Sequence, residues 1–344
     1  MKRSVLFIGN MFAGANYSHT TSWEVAELLK ARGWKVIRVS TRQNKILRVL
    51  DMLGTIWSAR HEYAVAHVDV YSGDAFIWAE IVCYMLRILR KTYFLTLQGG
   101  NLPVFSARNS SRVKNLFRNA AGITAPSGYL KEELSRYYSG TIKVIPNAIP
   151  VDRYISRLRK PASPRLVWVR AFHHIYNPSL AVRSLALLTA DFPDIKLTMV
   201  GADKGDGSMQ EAQDLTKRLN LQDFIQISEG IPHEHVPELL NKADIFLNTT
   251  NIDNNPLSVK EAMASGLCIV CTSVGGIPYL LEQSQDALLV PPDDEKQMAA
   301  AIRRILTDTE LAGRISSKAR AKAEQHDWKN ILPQWEKILD YSGA

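Results

Sequence analysis

Two carboxylates, Asp253 and Glu261, stand eight positions apart in the segment 253–278, with Asn254, Asn255 and Pro256 between them. Residues 259–264 have helical character, so Glu261 lies about one turn inside a helix that starts near Pro256 or Leu257. The first N–H groups of a helix have no intrahelical partner and make a natural anion site. A carboxylate one turn further in can accept two hydrogen bonds from a vicinal diol such as a ribose. The pair of features would hold a diphosphate beside a sugar hydroxyl pair. That is the chemistry of a nucleotide-sugar site.

Other polar groups fall at the ends of predicted strands, where open α/β sheets bind ligands. Arg170 follows a strand at 166–169, and His173, His174, Ile175, Tyr176 and Asn177 come next, before Pro178. Two adjacent histidines do not make a metal site without a third ligand. Gln98, Gly99, Gly100 and Asn101 follow a strand at 93–97. Gln98 can donate and accept hydrogen bonds but cannot take a proton. Gly9 and Gly14 lie between the first strand and the first helix, and no Gly-Lys-Ser/Thr follows them, which excludes a Walker loop. Gly201 opens a G-x3-G-x-G loop that imitates a dehydrogenase phosphate loop. None of the 12 tyrosines has the Lys four residues later that such enzymes need. Gly230, Ile231 and Pro232 follow the next strand, as a backbone contact for a base or as a plain turn.

These positions are set by alternating strands and helices, the pattern of parallel α/β sheets. Strands are predicted at 5–8, 35–40, 65–70, 93–97, 122–124 and 143–145, and again at 166–169, 196–200, 224–227, 245–248, 268–271 and 287–290. A basic, proline-containing stretch at 153–165 reads as an interdomain linker. The chain of 344 residues therefore divides into a domain at 1–152 and a second at 153–326. Residues 327–341 carry Trp328, Ile331, Leu332, Trp335, Ile338 and Leu339 at helical spacing. Pro333 should break or kink that helix, so that its regular part begins only there.

Composition narrows the class. Apolar content of 46% and charged content of 22% are those of a globular protein. The longest apolar stretch, 76–86, is interrupted by Glu80 and too short to span a bilayer. Lys2 and Arg3 precede a first strand rather than a signal peptide, which places the expectation in the cytoplasm. Three cysteines make no disulfide framework. Cys268 and Cys271 have C-x-x-C spacing, but on a strand residues three apart point to opposite faces. The first 120 residues carry 17 Lys and Arg against 7 Asp and Glu, so the whole positive excess of the chain lies there. No nucleic-acid recognition motif accompanies it. An anionic membrane surface or an acidic acceptor suits it better. Ile46, Val49, Leu50, Leu53, Ile56 and Trp57 form an apolar helical stripe beside Lys45, Arg48 and Arg60, either packed into the core or resting on such a surface.

The segment DNNPLSVKEAMASGLCIVCTSVGGIP resembles the E-x7-E signature of retaining, metal-independent glycosyltransferases of family 4, with Asp253 where that family usually has Glu. The resemblance implies a GT-B fold, in which two Rossmann-like domains face each other across a cleft and the last helix, here 327–344, crosses back to the first domain. It implies that Glu261 holds the donor ribose and that Asp253 makes a hydrogen bond to the transferred sugar. Arg170 corresponds to the diphosphate clamp. Backbone near Asn254, Asn255, Pro256, Leu257, Gly275 and Gly276 would supply further N–H groups, with Gly201 and Ile231 in donor loops and Gly14 in the loop facing the donor phosphates. Gln98 stands where the family often has His. The usual Lys after Arg170 is absent, leaving His174, Tyr176 and Asn177 in its place.

The implied activity is transfer of a sugar from a nucleotide-diphosphate donor, UDP-sugars being common in the family, to a glycan or lipid-linked acceptor in cell-surface polysaccharide or lipopolysaccharide synthesis. No metal and no other cofactor is required, and no nucleic acid is a partner. Contact with the inner face of the cytoplasmic membrane would be weak and salt-sensitive. A nucleotide-sugar epimerase and a non-catalytic nucleotide-sugar-binding protein are the alternatives.

Overall fold

The computed structural model describes residues 3–11 and 20–340. The chain forms two compact units, one from residues up to Ala148 together with Trp328 onward, the other Ile149–Asp327. The divisions fall at 148/149 and 327/328, a few residues from the boundaries read in the sequence. Each unit is a six-stranded sheet, and every paired strand is parallel. The alternating strand–helix pattern thus resolves into two doubly wound Rossmann-like units.

The first sheet contains β1 (Ser4–Ile8), β2 (Lys35–Val39), β3 (Val65–Val70), β4 (Thr92–Leu97), β5 (Gly122–Ala125) and β6 (Ile142–Val144), in the order β2-β1-β3-β4-β5-β6. Its central strands β1, β3 and β4 are largely buried on both faces, as helices covering both faces require, with His67, Asp69 and Thr96 the polar exceptions. Along β1 the side chains alternate accordingly: Leu6 and Ile8 join one core, Val5 and Phe7 the other. The second core is completed by the C-terminal helix Trp328–Leu339, whose Ile331, Leu332, Trp335 and Leu339 pack with Val25, Ala26 and Leu29. Arg32 to Glu336 at 2.9 Å and Arg3 to Asp340 at 2.7 Å pin its surface side.

That helix corrects one expectation. It runs unbroken from Trp328 with Pro333 inside it. An internal proline removes a hydrogen bond and costs about 3 kcal/mol. Burial of four large apolar side chains, at roughly 1.5–3 kcal/mol each, outweighs it.

The second sheet contains β7 (Arg165–Val169), β8 (Lys196–Val200), β9 (Ile225–Ser228), β10 (Ile245–Asn248), β11 (Cys268–Thr272) and β12 (Leu288–Val290), ordered β12-β11-β10-β7-β8-β9. Cys268 packs in one core with Leu166 and Trp168, while Cys271 packs in the other with Val167. Both thiols are free and buried, and their faces diverge. The stretch read as a linker is instead part of this unit. Arg159 is fully buried, donating to the carbonyls of Ser265 and Ala243, with Asp244 beside it. Arg157 reaches the same carboxylate at 2.5 Å. Most of the stretch is exposed, Arg157 included, but Arg159 is taken into the fold because two backbone carbonyls and Asp244 receive its guanidinium there.

Candidate functional site

The order β12-β11-β10-β7-β8-β9 reverses its direction of winding between β10 and β7. Carboxyl ends of strands diverge at such a switch point and leave a crevice for ligands. Arg170, just past β7, and Asp253, in the loop after β10, meet there. Arg170 Nη2 bonds Asp253 Oδ2, and Nη1 donates to Ser258 Oγ at 3.3 Å. The guanidinium lies 4.4 Å from the Tyr176 ring centroid, so an aromatic face supports the cation. Arg170 Nε is buried and has no hydrogen-bond partner among the described residues. Asp253 Oδ1 accepts the N–H of Asn254 at 2.7 Å. This pair was invisible in the sequence, since its members are 83 residues apart.

The loop Asp253–Pro256 is buried and leads into the helix Leu257–Ala264. Pro256 is its N-cap and no side chain caps that end. Asn255 is held by Lys260, whose Nζ donates to Asn255 Oδ1 at 2.6 Å. Complete burial pushes the Lys260 ammonium well below its usual pKa.

Glu261 sits one turn into the helix and is only 6% exposed. Its Oε1 accepts the Tyr154 hydroxyl at 3.0 Å and faces His233 Nε2 at 2.7 Å. An ionised carboxylate only accepts, so His233 carries its proton on Nε2 in that contact. Both bonds fall on one oxygen.

The glycines of the site serve close packing of its loops. A Cβ on Gly201 would lie 1.5 Å from the Arg170 carbonyl oxygen, and one on Gly276 would lie 1.7 Å from that of Asn254. Gly275 has φ +51 and abuts the Asp253 carbonyl. The Gly276 N–H already donates to the Asp253 carbonyl at 3.0 Å, so it is not open to a phosphate, contrary to the expectation from sequence.

The remaining predicted residues divide. Tyr176 joins Arg170, whereas Asn177 turns away in a left-handed conformation, with its amide on Asp293 at 3.0 Å. His174 is tied to Asp206, its N–H at 2.7 Å and its ring Nε2 3.0 Å from the Asp206 carbonyl. Partial burial works against ionisation of Asp206, yet hydrogen bonds from His174 and Ser208 hold it below the ordinary carboxylate range. Ile231 is partly exposed in the turn after β9, two residues before His233. Tyr154, His233, Ser258 and Lys260 were missed. Ser258 and Lys260 were readable as neighbours of Glu261 on one helix, but nothing local marks Tyr154.

Gln98 belongs to the other unit, and Gly14 lies outside the described residues. Gln98 follows β4, its N–H on the Val70 carbonyl at 2.8 Å. Next to it Asp69 is fully buried, with Oδ1 taking the Ser22 hydroxyl at 2.7 Å and Oδ2 lying against Gly9, without a partner within hydrogen-bonding distance among the described residues. Burial raises the Asp69 carboxyl to about 7, although hydrogen bonds from Ser22 and Gln98 favour its charged form. In the unfolded chain this group titrates near its ordinary 3.8. The folded state therefore keeps its full stability from this group below pH 3.8 and loses it progressively up to pH 7. Asp69→Asn is expected to gain on the parent by up to about 4 kcal/mol between pH 4 and pH 8, the rise from 3.8 to about 7 converted at about 1.36 kcal/mol per pH unit. Urea unfolding of both proteins at the two pH values checks this, and a constant difference would refute it.

A family profile described as Glycosyl transferases group 1 matches residues 153–322, which span this site. D-inositol 3-phosphate glycosyltransferase from Streptomyces avermitilis is 22% identical over 287 residues, covering 78% of this chain and 61% of that protein. A phosphatidylinositol N-acetylglucosaminyltransferase subunit of Arabidopsis thaliana is 24% identical over 200 residues, covering 57% of this chain and 43% of that protein. The chain thus spans less than two thirds of the length of these curated relatives. Among solved structures, sucrose-phosphate synthase from Thermosynechococcus elongatus superposes with a TM-score of 0.79 at 18% identity, covering 98% of both chains. HepE of Anabaena in complex with UDP-glucose superposes with a TM-score of 0.76 at 18% identity, covering 98% of this chain and 99% of that one.

Proposed function

We propose that this chain, which has the GT-B fold and matches the group 1 glycosyl transferase profile over residues 153–322, is a glycosyltransferase that moves a sugar, with retention at the anomeric carbon, from a UDP-sugar to a hydroxyl of a glycan or lipid-linked acceptor. The observation that carries this reading is the meeting of Arg170 and Asp253 at the switch point, beside a helix start and a Glu261 one turn further in. A UDP-bound relative of the same fold favours uridine as the base. The Glu261 carboxylate would take the ribose hydroxyls, oriented by Tyr154 and His233. Asp253 would then release part of its hold on Arg170 and accept a sugar hydroxyl.

Charge builds up on the diphosphate as the sugar leaves. Arg170 and the first N–H groups of the helix Leu257–Ala264 would stabilise it without a metal, since fixed donors aimed at developing charge need no reorganisation. No dedicated protein base is assigned. Oxygen atoms of the donor would assist in taking the acceptor proton. Gln98, which cannot take a proton, would orient the sugar or acceptor.

The acceptor class follows from family context and from the charge of the first 120 residues, with 17 basic against 7 acidic groups. Among the described residues no helix is long and apolar enough to cross a membrane. We place the enzyme in the cytoplasm, in weak contact with the inner membrane face, in cell-surface polysaccharide or lipopolysaccharide synthesis. The test is a panel of UDP-, GDP- and ADP-sugars assayed for release of nucleoside diphosphate with candidate lipid-linked acceptors. UDP-sugar turnover that persists in excess EDTA is the expected result. Turnover lost in EDTA and restored by Mg²⁺ would overturn the metal-free mechanism, and free sugar released without acceptor would favour epimerisation or hydrolysis.

A further inference from the structure

The helices Lys45–Ser58 and Asp74–Ile88 lie side by side in the first unit and leave an apolar face uncovered. Only part of the 45–58 stripe packs inward, where Met52 and Ile56 are buried. Ile46 is 72% exposed, Leu50 58% and Trp57 54%. The neighbouring helix adds Ile77, Ile81, Tyr84 and Ile88, spaced four, three and four apart along one face, with Ile88 62% exposed. Eight or so large apolar side chains on two adjacent helices exceed what scattered surface residues explain. Between the first turns of the helices runs an open trough of about 380 Å³, lined by Ile46, Val49, Leu50, Ala75, Ile77 and Trp78 together with the charged Lys45, Arg48 and Asp74.

The placement of the trough narrows its occupant. Each helix begins within six residues of the carboxyl end of a strand, β2 or β3, so both N-termini lie at the carboxyl edge of the sheet. Arg48, on the trough wall, bonds Asn10 Oδ1 at 3.1 Å, and Asn10 follows β1 at that same edge. Gly9, Asp69 and Gln98 occupy it too. An apolar chain in the trough would therefore place its polar end by that edge of the sheet, beside Gly9, Asp69 and Gln98.

The charges around the face suit an anionic partner. Of the three acidic groups on the helix pair, Asp74 is matched by Lys45 at 2.9 Å and Glu80 by Arg112 at 2.6 Å, while Asp51 accepts the Ser40 hydroxyl at 2.5 Å. Arg60 and Arg87 lie over the rings of Trp57 and Tyr84 at 4.6 and 5.5 Å, cations stacked on aromatic groups at the rim of the apolar face. Such an arrangement matches bilayer interfaces, where aromatic and basic residues flank an immersed apolar surface.

We propose that the trough between the helices Lys45–Ser58 and Asp74–Ile88 seats one hydrocarbon chain of an anionic membrane lipid, with the flanking apolar side chains in the acyl boundary. This deepens the membrane contact proposed above by giving it a site, and it rests on that reading. A lipid-linked acceptor is then taken from the bilayer with its head group at the sheet edge.

The test uses the full chain and vesicles of phosphatidylcholine, with or without equimolar phosphatidylglycerol. The parent should co-sediment with the anionic vesicles and much less with the neutral ones. Ile77→Glu and Leu50→Glu should each weaken binding by at least about tenfold, the scale of one apolar side chain withdrawn from water. Ala75→Trp, which fills the trough while adding apolar surface, should weaken it also. Leu219→Glu, an exposed position in the other unit, should leave it unchanged. Full binding by Ala75→Trp and Ile77→Glu, or equal binding of the parent to neutral vesicles, would overturn the proposal. So would a parent dimer in sedimentation velocity that Ile77→Glu dissociates, because a second copy would then be the occupant. UDP titration keeps the two readings apart: every variant should bind UDP as the parent does, and failure of the parent to bind UDP would strike the donor site and leave the vesicle result standing.

Discussion

Arg170→Ala is expected to reduce turnover by about 10²- to 10³-fold, the range seen when one fixed donor to a developing negative charge is removed. The effect follows from the position of the guanidinium, at the switch point of the sheet and stacked on Tyr176. A second consequence separates this residue from an ordinary surface arginine. Asp253 is nearly buried and its Oδ2 bonds Arg170. Taking the cation away leaves an uncompensated carboxylate, which in buried pairs costs about 3–5 kcal/mol. Arg170 is 19% exposed, so solvent screening brings the expectation to the lower part of that range. The double variant Arg170→Ala, Asp253→Asn should recover much of the stability and none of the turnover. Initial rates and thermal unfolding of the three proteins check both statements. Unchanged rates in Arg170→Ala would remove it from the diphosphate site.

Glu261→Gln is expected to weaken UDP binding roughly 10- to 150-fold, because a hydrogen bond to a charged group contributes about 1.5–3 kcal/mol. The amide keeps the volume, so the helix Leu257–Ala264 should remain intact. It cannot offer acceptors on both atoms, however. With His233 and Tyr154 both donating to Oε1, the amide oxygen would be held by them and the NH₂ turned to the ribose. Calorimetric titration of UDP into parent and variant measures the loss directly, and equal affinities would exclude Glu261 from the ribose site.

What the sequence disclosed followed the range of the interactions involved. The two parallel sheets were legible because alternating apolar strands and amphipathic helices are local patterns, as at 5–8 and 166–169. The helix carrying Glu261 was legible for the same reason. Contacts across long separations were not. Tyr154 reaches Glu261 over 107 residues and Arg170 reaches Asp253 over 83, and no spacing rule encodes either. Local rules also failed where tertiary burial outweighed them. Pro333 sits inside an unbroken helix because its neighbours fill a core, and Arg159 is buried because backbone carbonyls and Asp244 receive it. The glycines at 201 and 276 also let loops pack against the Arg170 and Asn254 carbonyls, a role that depends on contacts across the fold and was not legible in their spacing.

The most direct measurement of the donor site is a crystal structure of the protein with UDP bound. Density for the uridine ribose should place both hydroxyls within hydrogen-bonding distance of the Glu261 carboxylate, with the diphosphate at Arg170 and the start of the helix Leu257–Ala264 and no metal ion between them. A nucleotide seated elsewhere, or a diphosphate reaching the protein only through a bound metal, would contradict the site and the mechanism proposed for it.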